Sequence, residues 1–257
     1  MNKPSATPPS PKPILSKDEF VQLNAQAAQE MQADAKLQRM AREVLIDADR
    51  YRWIHQSSWL GEPLLNFPQD MFAIQDIIWR TRPDFIIEVG VAWGGGLLFE
   101  ATLLDLLGGK KVIGIDIFIP QDLRSRLADH GRLSDRLVLI EGDSTSDQTL
   151  AAVREITGSS SKVLVCLDSH HTHDHVLKEL RTFAPLVGPG QYLICCDTVV
   201  EFIPAQLHRP RPWGPGNNPA TAVKQFLSET DRFVVDGAID QKLLFSCNPG
   251  GYLKAVK

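Results

Sequence analysis

The 257-residue chain is short of cysteine, with four, and of aromatic residues, at 7%. So few cysteines exclude a disulfide scaffold. Cys166, Cys195 and Cys196 stand inside apolar runs and read as small buried hydrophobes. The adjacent Cys195 and Cys196 point to opposite faces of a strand and do not bridge. A basic excess is also missing: 27 Lys and Arg face 31 Asp and Glu, a net charge of -4. That balance argues against a nucleic-acid partner. No apolar run approaches the roughly 18 residues of a membrane span, so no integral membrane segment is expected. The greasiest stretch, 85–107, is interrupted by Glu88, Glu100 and Asp105. The N-terminus lacks a secretory apolar region, which makes the cytoplasm the expected location. What is present is ordinary globular composition, 43% hydrophobic and 23% charged, enough for one large domain with an extension or two small ones.

Residues 1–15 are rich in Pro and Ser and read as a disordered arm. Ser16 and Glu19 have capping-box spacing and open a long helical stretch, 17–50, with an amphipathic stripe of Phe20, Ala27, Met31, Leu37, Met40, Val44 and Ala48. That stripe packs either on its own domain or on a second copy, which makes a homo-oligomer through the N-terminal helix an expectation. Residues 16–66 are taken as a helical extension and 67–257 as the main domain. From residue 70 strands alternate with helices. Apolar strands begin at Phe85, Val112, Leu137, Val163 and Tyr192, and helices cover 70–82, 94–107, 121–131, 146–157, 172–184 and 217–229. Strands from Phe233 and Leu243 follow without a helix between them. The pattern predicts an α/β fold, a doubly wound, Rossmann-like sheet, mostly parallel with one antiparallel C-terminal strand.

The carboxylates fall in a revealing place. Glu88, Asp116, Asp143, Asp168 and Asp197 each lie at or just before the carboxyl end of a strand, where open α/β sheets bind ligands. Five unpaired acids are too costly for a structural core, so they are expected to face a polar or cationic ligand. Strand one runs into E-V-G-V-A-W-G-G-G, where Gly90 permits a tight turn and Gly94 to Gly96 let a backbone approach a ligand at a helix N-terminus. A carboxylate at Asp116 suits a vicinal diol. A nicotinamide cofactor would want the same acid, which keeps an oxidoreductase in view. The second cluster, L-D-S-H-H-T-H-D-H (167–175), sets Asp168 and His171 beside Asp197, one strand over. Two such carboxylates share a hard divalent cation readily, and a neutral imidazole beside them is a general-base candidate. His173 and His175 read as capping or surface residues, His170 as either. The third feature is the Pro/Gly loop R-P-R-P-W-G-P-G-N-N-P (209–219), which reads as a cover in which Arg209, Arg211 and Trp213 meet a sugar or an anion. The segment 61–70 closes the other side.

Glu88 with Gly90, Gly94 and Gly96 resembles motif I of the class I S-adenosylmethionine (SAM) methyltransferases. In that resemblance Asp116 takes the ribose hydroxyls, Asp143 and Ser144 border the adenine, and Asp168 lies near the cofactor. Taken together, E-V-G-x-x-x-G-G-G, L-D-S-H-H-T-H-D-H-V, D-T-V-V-E and R-P-W-G-P-G-N-N-P resemble the cephalosporin hydroxylase family over residues 50–257. The resemblance implies a SAM-dependent O-methyltransferase acting on a sugar or glycosylated small molecule or glycolipid, with SAM and Mg2+ as cofactors. It makes Asp168 a metal ligand and His171 the catalytic base; beside them His170, with Arg211 and Trp213 of the Pro/Gly loop, is taken as bordering the acceptor. The family's Glu-Asp pair ending strand five reads Cys196-Asp197 here. Thiolate is a poor partner for magnesium, so water or Glu201, four residues on, is the expected replacement ligand beside Asp197. A SAM-binding member that performs no methyl transfer, a hydroxylase partner or assembly protein, is the alternative.

Overall fold

The computed structural model describes residues 15–257, so the proposed disordered arm lies, but for Leu15, outside the described residues. In chain order the elements are α1 (Lys17–Ala33), α2 (Ala35–Asp49), β1 (Ser57–Trp59), β2 (Glu62–Leu64), α3 (Pro68–Thr81), β3 (Phe85–Val89), α4 (Gly95–Leu107), β4 (Lys111–Asp116), α5 (Gln121–Ala128), β5 (Leu137–Glu141), α6 (Asp147–Thr157), β6 (Val163–Leu167), α7 (His173–Phe183), β7 (Tyr192–Cys195), α8 (Pro219–Glu229), β8 (Phe233–Val235), α9 (Gly237–Asp240) and β9 (Tyr252–Ala255). Seven strands form one sheet in the order β5-β4-β3-β6-β7-β9-β8. β9 runs antiparallel to both its neighbours, and the other pairings are parallel. From β3 the chain first builds outward through β4 to β5, then returns to lay β6 on the other side. That reversal opens the crevice at the carboxyl ends of β3 and β6.

Successive strand residues face opposite layers, and each layer has its own apolar core. Ile86, Val112, Leu164 and Ile194 pack with Ile74 and Ile78 of α3, Leu98 and Leu104 of α4 and Leu123 of α5. Ile87, Ile113, Val165 and Leu193 pack with Val153 of α6, Leu180 and Phe183 of α7 and Phe226 of α8. Each fully buried side chain of this kind stabilises the fold by about 1.5–3 kcal/mol.

Three expectations about elements need correction. The long N-terminal helix is two helices, because Asp34 leaves helical geometry (φ -75°, ψ 91°) and its carboxylate accepts from the N–H groups of Lys36 and Leu37, both at 3.0 Å. That side chain caps a new helix more favourably than it continues the old one. The run Leu243–Cys247 is not a strand. Its last residue gives its N–H to the Asp70 carboxylate and its carbonyl to Val199, and the sheet is completed instead by β9, with the short α9 between the last two strands. An antiparallel hairpin, β1–β2, precedes the main sheet. Its alternation spans only three residues per strand and was not foreseen. The capping box at Ser16 and Glu19 is present. No residue of α1 is buried, whereas α2 buries Ala41. Among the described residues no helix is long and apolar enough to cross a membrane.

Candidate active site

A cavity of about 790 Å³ lies over the carboxyl ends of the parallel strands. Its first lobe is built from the glycine-rich turn. Gly90 has φ 100°, and a Cβ there would sit 2.1 Å from the Asp168 carbonyl oxygen, so no other residue lets the ends of β3 and β6 meet. A Cβ on Gly96 would sit 2.4 Å from Glu88 Oε1, so glycine there seats α4 directly over the carboxylate. Gly94 caps α4 in the left-handed region (φ 85°). Asp116 braces the turn by accepting the Val91 N–H at 2.9 Å and the Phe118 N–H at 3.2 Å. Asp143 accepts the N–H and hydroxyl of Thr145 at 2.8 and 2.7 Å, which hold its carboxyl below the usual range.

Ser144 lines the lobe, but its hydroxyl is spent inward, donating to Glu179 Oε1 at 2.6 Å. The same oxygen accepts the Ser169 hydroxyl at 2.7 Å and lies 3.0 Å from His175 Nε2. Glu179, buried on α7, thereby ties the loop after β5 to the loop after β6. Its bond and charge raise the His175 imidazole above its ordinary value, so His175 is a wall of the cavity rather than a surface cap. His173 bridges to Thr221 and Gln225 of α8.

At the centre, donor atoms of Asp168, His171 and Asp197 lie within 4.8 Å of one another, each residue half-buried. His171 Nε2 is 3.3 Å from Asp197 Oδ2. Burial first, then the Asp197 charge, push the Asp168 carboxyl up to about 7, against the opposing His171 charge and an Asn66 hydrogen bond. Two carboxylates facing one imidazole form a donor set that fits a divalent cation. Asp197 sits at φ 56°, a left-handed conformation that Asp tolerates. Its N–H is held by Asn248 Oδ1 at 3.0 Å. Asn248 in turn hangs on Ser246 (2.9 Å), whose hydroxyl donates to Asp70 at 2.6 Å. Asp70 also takes the Cys247 N–H and the Tyr252 hydroxyl, both at 2.8 Å, yet burial still pushes its carboxyl up to about 6.

The expected ligand Glu201 is elsewhere. Its Oε2 accepts the Gly216 N–H at 2.8 Å and an Asn218 amide hydrogen, which lower its carboxyl and hold the Pro/Gly loop in shape. The donor set therefore does not include it. Cys196 is also outside the set; burial pushes its thiol well up, so it stays protonated. All four cysteines are free and buried.

The second lobe lies between α2 and the segment after β7. The Trp213 indole stands edge-on to His171 (4.8 Å) and His170 (5.3 Å), and the Arg211 guanidinium lies 5.5 Å from the indole. Arg209 turns instead to Asp49 of α2, which it meets at 2.9 Å, with His208 Nε2 at 2.8 Å on the other carboxylate oxygen. Leu45, Trp53, Ile54 and Ile203 add apolar wall, and Asn66 closes the near side as the 61–70 segment promised. The structure thus brings the sequence-picked residues, Glu201 apart, to one cavity. Sequence reasoning missed Asp49, Glu100 and Glu179, and took Asn66 and Asp70 only as part of the closing segment. Of the three missed, only Glu100 carried a visible signal, a charge within the apolar run of α4.

Fold and cavity together define the class, a SAM-dependent O-methyltransferase with the class I sheet. CmcI with Mg and SAM superposes with a TM-score of 0.55 at 20% identity, covering 79% of this chain and 78% of that one. CmcI with SAH gives 0.51 at 19% identity, over 79% and 83%. The Rhamnosyl O-methyltransferase/CmcI family model matches residues 51–256, and the chain belongs to that family. The Rhamnosyl O-methyltransferase of Mycobacterium tuberculosis is 24% identical over 201 residues, 77% of this chain and 78% of its own. That of Mycobacterium leprae is 30% identical over 144 residues, 55% and 60%.

Proposed function

We propose that this protein methylates a hydroxyl of a sugar or glycosylated acceptor, taking the methyl group from SAM, with magnesium or a similar divalent cation at Asp168 and Asp197. One observation carries the reading: Asp168, His171 and Asp197 converge where the glycine-turn lobe meets the lobe walled by Trp213. In this reading Glu88, the glycine turn, Asp116, Asp143 and Ser144 line the cofactor's bed. His170, Arg211 and Trp213 border the acceptor. The sulfonium already activates the methyl; the harder task is an aliphatic hydroxyl that resists losing its proton. His171 takes that proton at Nε2 as the C–O bond forms and the C–S bond breaks, leaving S-adenosylhomocysteine. The Asp197 carboxylate, 3.3 Å away, stabilises the imidazolium that results. The cation, when bound, supplies Lewis acidity and a template for neighbouring hydroxyls. Positioning of the two substrates in line contributes alongside.

Incubation with SAM, Mg2+ and a panel of rhamnosides and other glycosides tests this by S-adenosylhomocysteine release. Release that disappears in His171→Asn supports the reading. SAM binding without release across the panel favours the alternative, a SAM-binding member without methyl transfer, toward which the protonated Cys196 outside the donor set points. The reading also keeps the chain in the cytoplasm, where four free thiols stay reduced. It seats a second copy on the N-terminal helices, where Phe20 of the stripe, with Val21 and Leu23 beside it, is more than half exposed.

A further inference from the structure

Glu100 is a buried carboxyl (3% exposed) that the proposed chemistry leaves without a task. Among the described residues its one polar contact is the Cys166 thiol, with Sγ 3.5 Å from Oε1. Cys166 stands directly opposite Glu88 in the pairing of β6 with β3. Gly96 precedes Glu100 by one helical turn, on the same face of α4, and presses against Glu88 Oε1. Helix and sheet therefore place Glu100 and Glu88 on the same α4–β3 interface, each beside Cys166. Each carries a buried oxygen without a hydrogen-bond partner, Glu88 Oε2 and Glu100 Oε2.

Two buried carboxylates with unmatched oxygens cost far more than one carboxyl sharing its proton with one carboxylate. Burial pushes the Glu100 carboxyl up to about 8. Glu88 is also raised, by burial and then by the Glu100, Asp168 and Asp116 charges. Glu88 lines the cavity and Glu100 does not. A bound cation beside the cavity therefore favours charge on Glu88 and the proton on Glu100. We propose that Glu100 is a positioning residue: it keeps the proton, donates it to Glu88, and holds Glu88 as an oriented carboxylate toward the cationic methionine end of SAM. The proposal rests on the SAM reading.

Three measurements on the full chain test it: calorimetric SAM affinity, melting temperature, and the infrared band of a protonated carboxyl in the protein without SAM at neutral pH. Glu100→Leu, an apolar side chain in apolar surroundings, is expected to melt at or above the wild-type temperature, to lose the part of the band that Glu100 adds to that of Asp168, and to bind SAM about tenfold more weakly, the worth of one charge-assisted hydrogen bond. Glu100→Gln keeps a donor and is expected to stay within about threefold of wild type. Wild-type affinity in Glu100→Leu, or a tenfold loss in Glu100→Gln, overturns the positioning role. If Glu100→Leu does not fold, Glu100→Gln alone decides. A wild-type protein that shows the Glu100 part of the band but binds no SAM sinks the proposed function, whereas SAM binding with the same band in wild type and Glu100→Leu sinks only the shared proton.

Discussion

The two lobes of the cavity are built by different means. The glycine-turn lobe is made mostly of backbone: a turn that tolerates no Cβ at Gly90, amides braced by Asp116, a helix that opens on Gly94. The lobe beyond His171 is made of side chains from distant segments, with Asp49 of α2 pairing His208 and Arg209 across some 160 residues. A backbone site is fixed by geometry shared across a fold, whereas a side-chain site is free to vary with its ligand. The first lobe accordingly speaks for a cofactor and the second for an acceptor.

Separate damage to the two lobes sharpens that contrast. The largest effect is expected at their junction. His171→Ala should lower kcat by about a thousandfold, the scale of general-base catalysis, while calorimetry finds SAM affinity within about threefold of wild type. Loss of affinity along with rate would mean that the lobes are not independent. EDTA should likewise cut turnover but spare SAM binding, with Mg2+ restoring the rate. Asp116→Ala strips the turn of its brace and the proposed diol of its acceptor. SAM Kd should rise about a hundredfold, the combined worth of charged hydrogen bonds, with acceptor KM little changed at saturating SAM. Asp49→Ala should do the reverse, raising acceptor KM about tenfold through a freed Arg209 segment, with SAM Kd unmoved.

The smallest effect is on stability. Burial raises Asp70 from 3.8 to about 6, so the folded state holds this proton more tightly than the unfolded chain does. The contribution is present below pH 4 and is lost as pH climbs toward 6. The melting-temperature advantage of wild type over Asp70→Asn should therefore be greater at pH 4 than at pH 7. A gap that widens with pH would contradict the sign.

The sequence showed the sheet, its alternation and the glycine turn because each is a local pattern: apolar runs, helix periods, Gly at fixed spacing. The acids at strand ends were legible for the same reason, since a strand's end can be read from its own residues. Glu201 misled because four residues of separation say nothing about direction; the Asn218 amide and Gly216 N–H that claim it lie in a loop whose path no period encodes. The Leu243–Cys247 run misled because its β-rich composition was overruled by Asp70, a partner about 177 positions away. Glu179 stayed hidden since a Glu on an amphipathic helix usually faces water, and only the assembled loops reveal three donors aimed at one of its oxygens.

The tether from Asp70 through Ser246 and Asn248 to Asp197 has a consequence for biosynthesis. Residues 246–252 are translated some fifty positions after Asp197, and until they leave the ribosome the Asp197 N–H lacks its Asn248 partner. A nascent chain can lay down β3 to β6 and their glycine turn, yet its second carboxylate waits for Asn248 to emerge. In the proposed reading the centre is thus complete only once Asn248 is in place, and a stop codon shortly before it should yield a chain that retains β3 to β7 but has a slack Asp197.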